Sequence, residues 1–351
     1  MIHIGRPVVA AGRHAVAQTE LAAAMRRRLE ALEGTDELRK MVGFIYEHSS
    51  IVQRHLELGL DELEAREDWY LAVNEATMSL ARRALERLFE QHQSDELDAM
   101  VVVSSSFAGF PSLSRRLQDG MGLRLDAPCY DLAGLGCAGP THGLHLADML
   151  VRTGAARRVC LLCVDAMGTH GESRVHHQAP TISQVVAHCL ASDGAAAVLV
   201  SAEPLDGPGL GWEDCRLRSK LWPDSLGEND FTASADNQPF IAVGKAIRTR
   251  IVEELGPVIN GPDLDPDTAL FHPGGAALMR ALAMANPQLA PSLAISSGVL
   301  EQRGNIGSGS VLWVLHDAWA AGRPLGPRLR LIALGPGIVS TMLCLDGVEV
   351  R

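Results

Sequence analysis

Two textures of apolar and polar positions run along the chain. Residues 15–40 and 60–95 are rich in Ala, Leu, Glu and Arg, with apolar residues at helical spacing such as Leu80, Ala81, Ala84, Leu85 and Leu88. Between them, 43–56 (GFIYEHSSIVQRHL) reads as irregular. From residue 97 short β-branched runs take over. The first, LDAMVVVSSS, has the look of a parallel strand buried on both faces. The pattern then predicts a helix over 113–121, a strand over 128–132, a helix over 138–153 and a strand over 157–164 (RRVCLLCV). A helix over 181–191 and a strand over 195–201 (AAAVLVS) follow. After a polar interlude at 203–238, the rhythm returns as a helix over 239–255, a strand over 268–271 and helices over 274–285 and 307–321. Strands over 328–334 and 338–345 close it.

This alternation predicts an α/β protein with mainly parallel sheets covered by helices on both faces. Two similar halves, 1–205 and 206–351, are the simplest account, and 351 residues suffice for two domain-sized units. The halves are not sequence repeats, so their likeness is one of topology.

Charge and cysteine usage narrow the setting. A net charge of −11 argues against nucleic acid as a partner, which would need a basic footprint. No apolar run approaches the about 20 residues of a membrane span, and MIHIGRPVVAAGRHAV has no signal-like core, so no membrane association is expected. Seven scattered cysteines fit a reducing, cytoplasmic setting better than a disulfide framework.

Candidate chemistry begins in 134–143, GLGCAGPTHG. Gly134, Gly136 and Gly139 strip side chains from around Cys137, and Pro140 stands where the first turn of a helix tolerates it. A thiol at a helix start is favoured as thiolate by free N–H groups and the helix dipole. A small packing cysteine is the plain alternative. A nucleophile needs a proton partner and an oxyanion stabiliser. His272 in LFHPGG and Asn305 in RGNIGSGS stand at two further strand–helix junctions, and such junctions gather at the carboxyl ends of strands in open sheets.

GLGCAGP, FHPGG and RGNIGSGSVLWVL, in this order, resemble the Cys–His–Asn motifs of chalcone synthase-like type III polyketide synthases of the thiolase superfamily. SDGAAAVLV (192–200) and LGPGIVSTMLCL (334–345) strengthen the resemblance, which covers roughly residues 40–350. It implies a thiolase fold, α/β, of two similar halves with mainly parallel five-stranded sheets in αβαβα layers, normally as a homodimer. It further implies that Cys137 accepts an acyl group from a coenzyme A thioester and that His272 and Asn305 hold the enolate of decarboxylating malonyl-CoA. Acyl-CoA and malonyl-CoA are then substrates, and no permanently bound cofactor or metal is required.

The same resemblance brings in further residues. Ser105 falls where the family lines its cavity with small hydroxyls, and Gly335, Pro336 and Gly337 match a loop that shapes cyclisation. Arg54 lies where the family meets coenzyme A phosphates, a solvated arginine being the alternative. Gly307 replaces a common serine. The segment 166–188 lacks the aromatic gatekeeper of plant enzymes, leaving room for an aliphatic or unusual starter; Phe231 and Phe240 are aromatic candidates from elsewhere, and His170, His176 and His177 fall near it. Two other readings stay open. One is a ketoacyl synthase III-like single condensation or acyl transfer with a carrier-protein substrate; the other is a non-enzymatic thiolase-fold subunit, against which the intact triad argues.

Other clusters read as structure. Cys160 and Cys163 (CLLC) have no second ligand pair and, three apart on a strand, diverge into the core. His142 and His145 share a helix face without a third ligand, and DELEARE (61–67) reads as a solvated helix face.

Overall fold

The apolar run at 97–106 folds as the strand Ala99–Val103, flanked by Cys129–Leu132 and Arg158–Ala166 and parallel to both. Alternate side chains of Ala99–Val103 enter different cores: Met100 and Val102 meet Leu80 and Leu85 of the helix Trp69–Phe89, while Val101 and Val103 meet Leu144 and Ala147 of the helix Gly139–Arg152. Helices on both faces leave every residue of the strand buried, which is why its sequence is continuously apolar rather than alternating. The computed structural model describes residues 1–66, 68–172, 180–227, 231–233, 239–241 and 246–351, with the backbone alone at 231–233, 239–241, 246–249 and 252. His176 and His177 therefore lie outside the described residues, as do the side chains of Phe231 and Phe240.

Beyond Arg158–Ala166 the sheet continues through Asp193–Ser201, Ile2–Gly5, Gly209–Trp212 and Glu349–Val350, with Val8–Ala11 also on Asp193–Ser201. All of these added pairings are antiparallel. A second sheet orders Asp214–Leu221, Val339–Asp346, Arg328–Gly335 and Ala269–Phe271, parallel only in its last pair. The expectation of mainly parallel five-stranded sheets is thus corrected: among the described residues the two larger sheets hold eight and four strands and are mixed. Pro336–Ile338 is too short a link to be a crossover, so Arg328–Gly335 and Val339–Asp346 must run as a hairpin. The N-terminal strands are only four residues each, too short for alternation to mark them.

Other elements depart from the pattern for identifiable reasons. The irregular-looking 43–56 holds the end of the helix Asp36–Glu47 and the strand Gln53–Leu56. The interlude at 203–238 contains the strands Gly209–Trp212 and Asp214–Leu221; the latter pairs on one side only and keeps an exposed, polar face. The helix of 239–255 begins later, as Ala246–Ile259. The helix Ala290–Arg303 escapes the apolar pattern because it buries hydroxyls: Ser296 donates to the Phe271 carbonyl at 2.7 Å and Ser292 to the Pro266 carbonyl at 2.5 Å. Cys160 and Cys163 are fully buried and join different cores, as their spacing predicts. His142 Nδ1 faces the Ala138 carbonyl, His145 Nδ1 faces the Cys215 thiol, and no metal-binding cluster occurs among the described residues. Among those residues, no helix is long and apolar enough to cross a membrane.

Arg54 changes its expected place. Its side chain is fully buried, pairing with Glu172 at 2.8 Å. Its other donors reach Gln18 Oε1 at 3.1 Å and the His188 and Ala191 carbonyls, the latter at 2.7 Å. A cation satisfying the carbonyl end of the helix Ile182–Leu190 is favoured there by the helix dipole. Burial and prior engagement keep it from any coenzyme A phosphate at the surface, against the expectation from the resemblance. Arg54→Met strands part of the charge of Glu172, which keeps Arg28 at 2.5 Å, and two helix-end carbonyls. The expected loss in urea unfolding is about 3–5 kcal/mol; a loss below about 1 kcal/mol, the range of an exposed pair, contradicts this role.

Candidate active site

The carboxyl ends of the parallel strands and of Ala269–Phe271 open onto one cavity of about 620 Å³, and Cys137, His272 and Asn305 all stand on its wall. Ser105, Gly307, Gly335 and Pro336 join them there, whereas Gly337 packs toward Leu226 and Leu221 and Arg54 lies behind the wall. The sequence motifs, far apart in the chain, therefore meet.

Cys137 sits in the 3₁₀ turn Gly136–Ala138, which runs into the helix Gly139–Arg152 with Pro140 in its first turn. The tight approach explains Gly136: it adopts φ +48°, and a Cβ there would lie 2.6 Å from Pro336 Cδ. The Gly136 N–H donates to Ser105 Oγ at 2.9 Å, tying the turn to the end of Ala99–Val103. His272 follows Ala269–Phe271; its N–H donates to the Ile332 carbonyl at 2.8 Å, and its own carbonyl accepts from Gly274 at 2.9 Å.

Asn305 is held by both halves of the chain. Its N–H donates to the Leu190 carbonyl at 2.8 Å, and its carbonyl accepts from Ser192 at 2.9 Å. The amide Oδ1 accepts from the Gly307 N–H at 3.0 Å and from Ser310 at 3.3 Å, and the Cys137 thiol lies 3.8 Å from it. Because a backbone N–H can only donate, Gly307 fixes the orientation of the amide, leaving its NH₂ as the free donor side.

Electrostatics describe the resting state. Burial pushes the Cys137 thiol up to about 12, and the Asp165 carboxylate adds to it; the hydrogen bond with Asn305 acts the other way. Burial alone pulls His272 down to about 3. The substrate-free site is thus a neutral thiol and a neutral imidazole rather than a standing ion pair. His272 Nδ1 is buried and has no hydrogen-bond partner among the described residues. A bare lone pair there costs less than an unpaired N–H, so the proton belongs on Nε2, as an oxyanion donor requires.

Several wall residues carry no motif in the sequence. Phe44 and His48 come from Asp36–Glu47 and the residue after it, Val186 and Leu190 from Ile182–Leu190, and Arg280 from Ala276–Ala285. Asp165, near the end of Arg158–Ala166, is also on the wall. Its signal was available: a lone acid closing the otherwise apolar run RRVCLLCV.

The fold and this gathering of a thiol, an imidazole and an amide define a condensing enzyme of the thiolase type. The chain belongs to the family described as FAE1/type III polyketide synthase-like proteins, whose model matches residues 15–207. It is 29% identical over 335 residues to the 1,3,6,8-tetrahydroxynaphthalene synthase of Streptomyces peucetius subsp. caesius, covering 88% of this chain and 84% of that protein. Its fold is that of the I375F mutant of CsyB, with a TM-score of 0.83 at 20% identity and 99% of each chain covered. The 1,3,6,8-tetrahydroxynaphthalene synthase of Streptomyces coelicolor A3(2) superposes with a TM-score of 0.82 at 21% identity, covering 98% of this chain and 99% of that one. The protein is accordingly a type III polyketide synthase-like condensing enzyme, an acyltransferase, which decides for the first reading of the sequence over a ketoacyl synthase III-like single condensation.

The neutral resting pair has a measurable consequence. Alkylation of Cys137 by iodoacetamide, followed on its own peptide by mass spectrometry, is expected to rise about tenfold per pH unit from pH about 6 to pH about 10, because only the thiolate reacts. A rate already at its plateau near neutral pH contradicts a raised thiol.

Proposed function

We propose that Cys137 is the acyl-carrying nucleophile, that His272 and Asn305 form the oxyanion site, and that the substrates are an aliphatic acyl-CoA and malonyl-CoA. The convergence of the three side chains on one largely apolar cavity supports this reading most directly. A solved structure of CsyB complexed with CoA-SH, sharing this fold, supports coenzyme A thioesters as the donors.

In the first step the Cys137 sulfur attacks the acyl-CoA carbonyl carbon. The thiol proton passes to the departing coenzyme A sulfur while the His272 Nε2–H donates to the acyl oxygen, leaving the acyl group as a thioester on Cys137 and free CoA-SH. In the second, malonyl-CoA loses its carboxylate as carbon dioxide, and the electron pair of the broken bond becomes an enolate. The His272 Nε2–H and the Asn305 NH₂ donate to the enolate oxygen, where exclusion of water makes each hydrogen bond count for more. The enolate carbon then attacks the thioester, expelling the Cys137 thiolate and lengthening the chain by two carbons. Repetition, cyclisation or release follows within the same cavity.

The choice of an aliphatic starter rests on the lining. Met167, Val186, Leu190, Ala277 and Leu278 face the cavity, and Phe44, half-exposed to solvent, is the one aromatic residue on the wall among the described residues. A wall that is apolar apart from a few groups and has Phe44 as its one Phe, Tyr or Trp among the described residues rewards burial of methylenes and offers little stacking surface. In organisation, 1–205 supplies Cys137 and 206–351 supplies His272 and Asn305. A homodimer, which the family resemblance implies, and a cytoplasmic setting, supported by seven unpaired cysteines, belong to the same reading.

The reaction is tested with malonyl-CoA and acyl-CoA starters from two to about 12 carbons, an aromatic starter included. Carbon dioxide release and extended aliphatic products are expected, with the aromatic starter poorest. Asn305→Asp is expected to lower condensation by about 10²–10³-fold through loss of one oxyanion donor. Absence of both decarboxylation and products across the panel overturns the reaction, and an aromatic preference overturns the starter class.

A further inference from the structure

We infer that Asp165 is a positioning residue of the condensing site: one buried carboxylate, acting through Ser105 and Ser308, fixes the two loops that present Cys137 and Asn305 to each other. The inference rests on the function proposed above and adds to it a residue that none of the sequence motifs contains.

Asp165 is fully buried and held by N–H and O–H groups rather than by a cation. Its Oδ1 accepts the backbone N–H of Ser105 at 2.7 Å and of Ser106 at 3.0 Å. Its Oδ2 accepts the Ser308 N–H at 2.7 Å and the Ser308 hydroxyl. Three of these donors are backbone amides that cannot accept, so both oxygens serve as acceptors, the role of a carboxylate. Each oxygen therefore holds a different loop. On the Oδ1 side, Ser105 Oγ in turn accepts from the Gly136 N–H, one residue before Cys137. On the Oδ2 side, Ser308 lies three residues after Asn305, and the intervening Gly307 N–H orients the Asn305 amide.

Gly307 shows how closely the second loop is drawn in. It adopts φ +60°, and a Cβ there would lie 2.5 Å from Asp165 Oδ2. Only glycine lets the backbone sit this near the carboxylate. A serine at this position, the expectation from the family pattern, does not fit beside Asp165 without moving one of them.

The same carboxylate adds a negative charge to the surroundings of the thiol. The titratable or charged side chains sharing the cavity wall with Cys137 are Asp165, His272, His48, Cys189 and Arg280. Of these, Asp165 carries a negative charge that opposes ionisation of the thiol. Removing the charge should therefore make Cys137 more readily ionised while loosening its alignment with Asn305. A residue that merely stabilises the fold would do the second without the first.

Asp165→Asn keeps the size of the side chain and removes its charge. On the substrate-free enzyme at pH about 8, alkylation of the Cys137 peptide is expected to become about 10-fold faster. With malonyl-CoA and the best acyl-CoA starter, kcat is expected to fall about 10-fold or more with KM little changed, the pattern of lost alignment rather than lost binding. Alkylation unchanged or slower, or an unchanged kcat, overturns the inference. Should Asp165→Asn not fold, Ser308→Ala retains the charge and removes the hydroxyl donor; kcat is then expected to drop about 5-fold with alkylation no faster, and an unaltered kcat overturns the inference. If the parent enzyme forms no product with any starter, the proposed reaction fails, whereas the alkylation comparison still decides the role of Asp165.

Discussion

The site depends first on a pair of backbone hydrogen bonds. The Asn305 N–H reaches the Leu190 carbonyl, and the Ser192 N–H reaches the Asn305 carbonyl, lacing the loop after Ala290–Arg303 to the junction between Ile182–Leu190 and Asp193–Ser201. Such bonds inside a protein are expensive to leave unmade, so they hold the loop against the junction at this point. Arg54 reinforces it from behind by binding the His188 and Ala191 carbonyls on either side of Leu190. A charge expected at the cavity for its affinity to phosphate is instead part of the frame that brings Asn305 to Cys137.

From that frame the chemistry follows by burial. Placement in the wall of the fold shifts the Cys137 thiol and the His272 imidazole in opposite directions, the thiol holding its proton and the imidazole refusing one. In the proposed reaction this arrangement restrains Cys137 while the cavity is empty and reserves the strongest hydrogen bonding for an enolate oxygen. Decarboxylation creates that charge in place, so the donors need only be aligned beforehand. Family membership and the 29% identity to a tetrahydroxynaphthalene synthase fit this economy, since a condensing enzyme acts on charge generated within the site.

Much of this was legible in the sequence, and the parts that were not have physical reasons. Buried parallel strands announce themselves as apolar runs, and the glycines around Cys137 and Asn305 mark places where backbones approach closely. The strand Asp214–Leu221 stayed hidden because it pairs on one side and keeps charged residues toward solvent, and the helix Ala290–Arg303 because it buries serines against strand-end carbonyls. Arg54 misled because a buried arginine and a surface arginine look alike until its partners, Glu172 and two distant carbonyls, are placed. Asp165 left only a faint trace, since its partners are backbone amides that no motif records.

The cavity wall carries a second thiol, Cys189, and this makes one measurement decisive for the identity of the nucleophile. The enzyme is incubated with an acyl-CoA alone, digested under mildly acidic conditions that preserve thioesters, and its peptides are mapped by mass spectrometry. The account predicts the mass of one acyl group, replacing one hydrogen, on the peptide containing Cys137. Acylation of Cys189 in its place, or none with any starter, contradicts it.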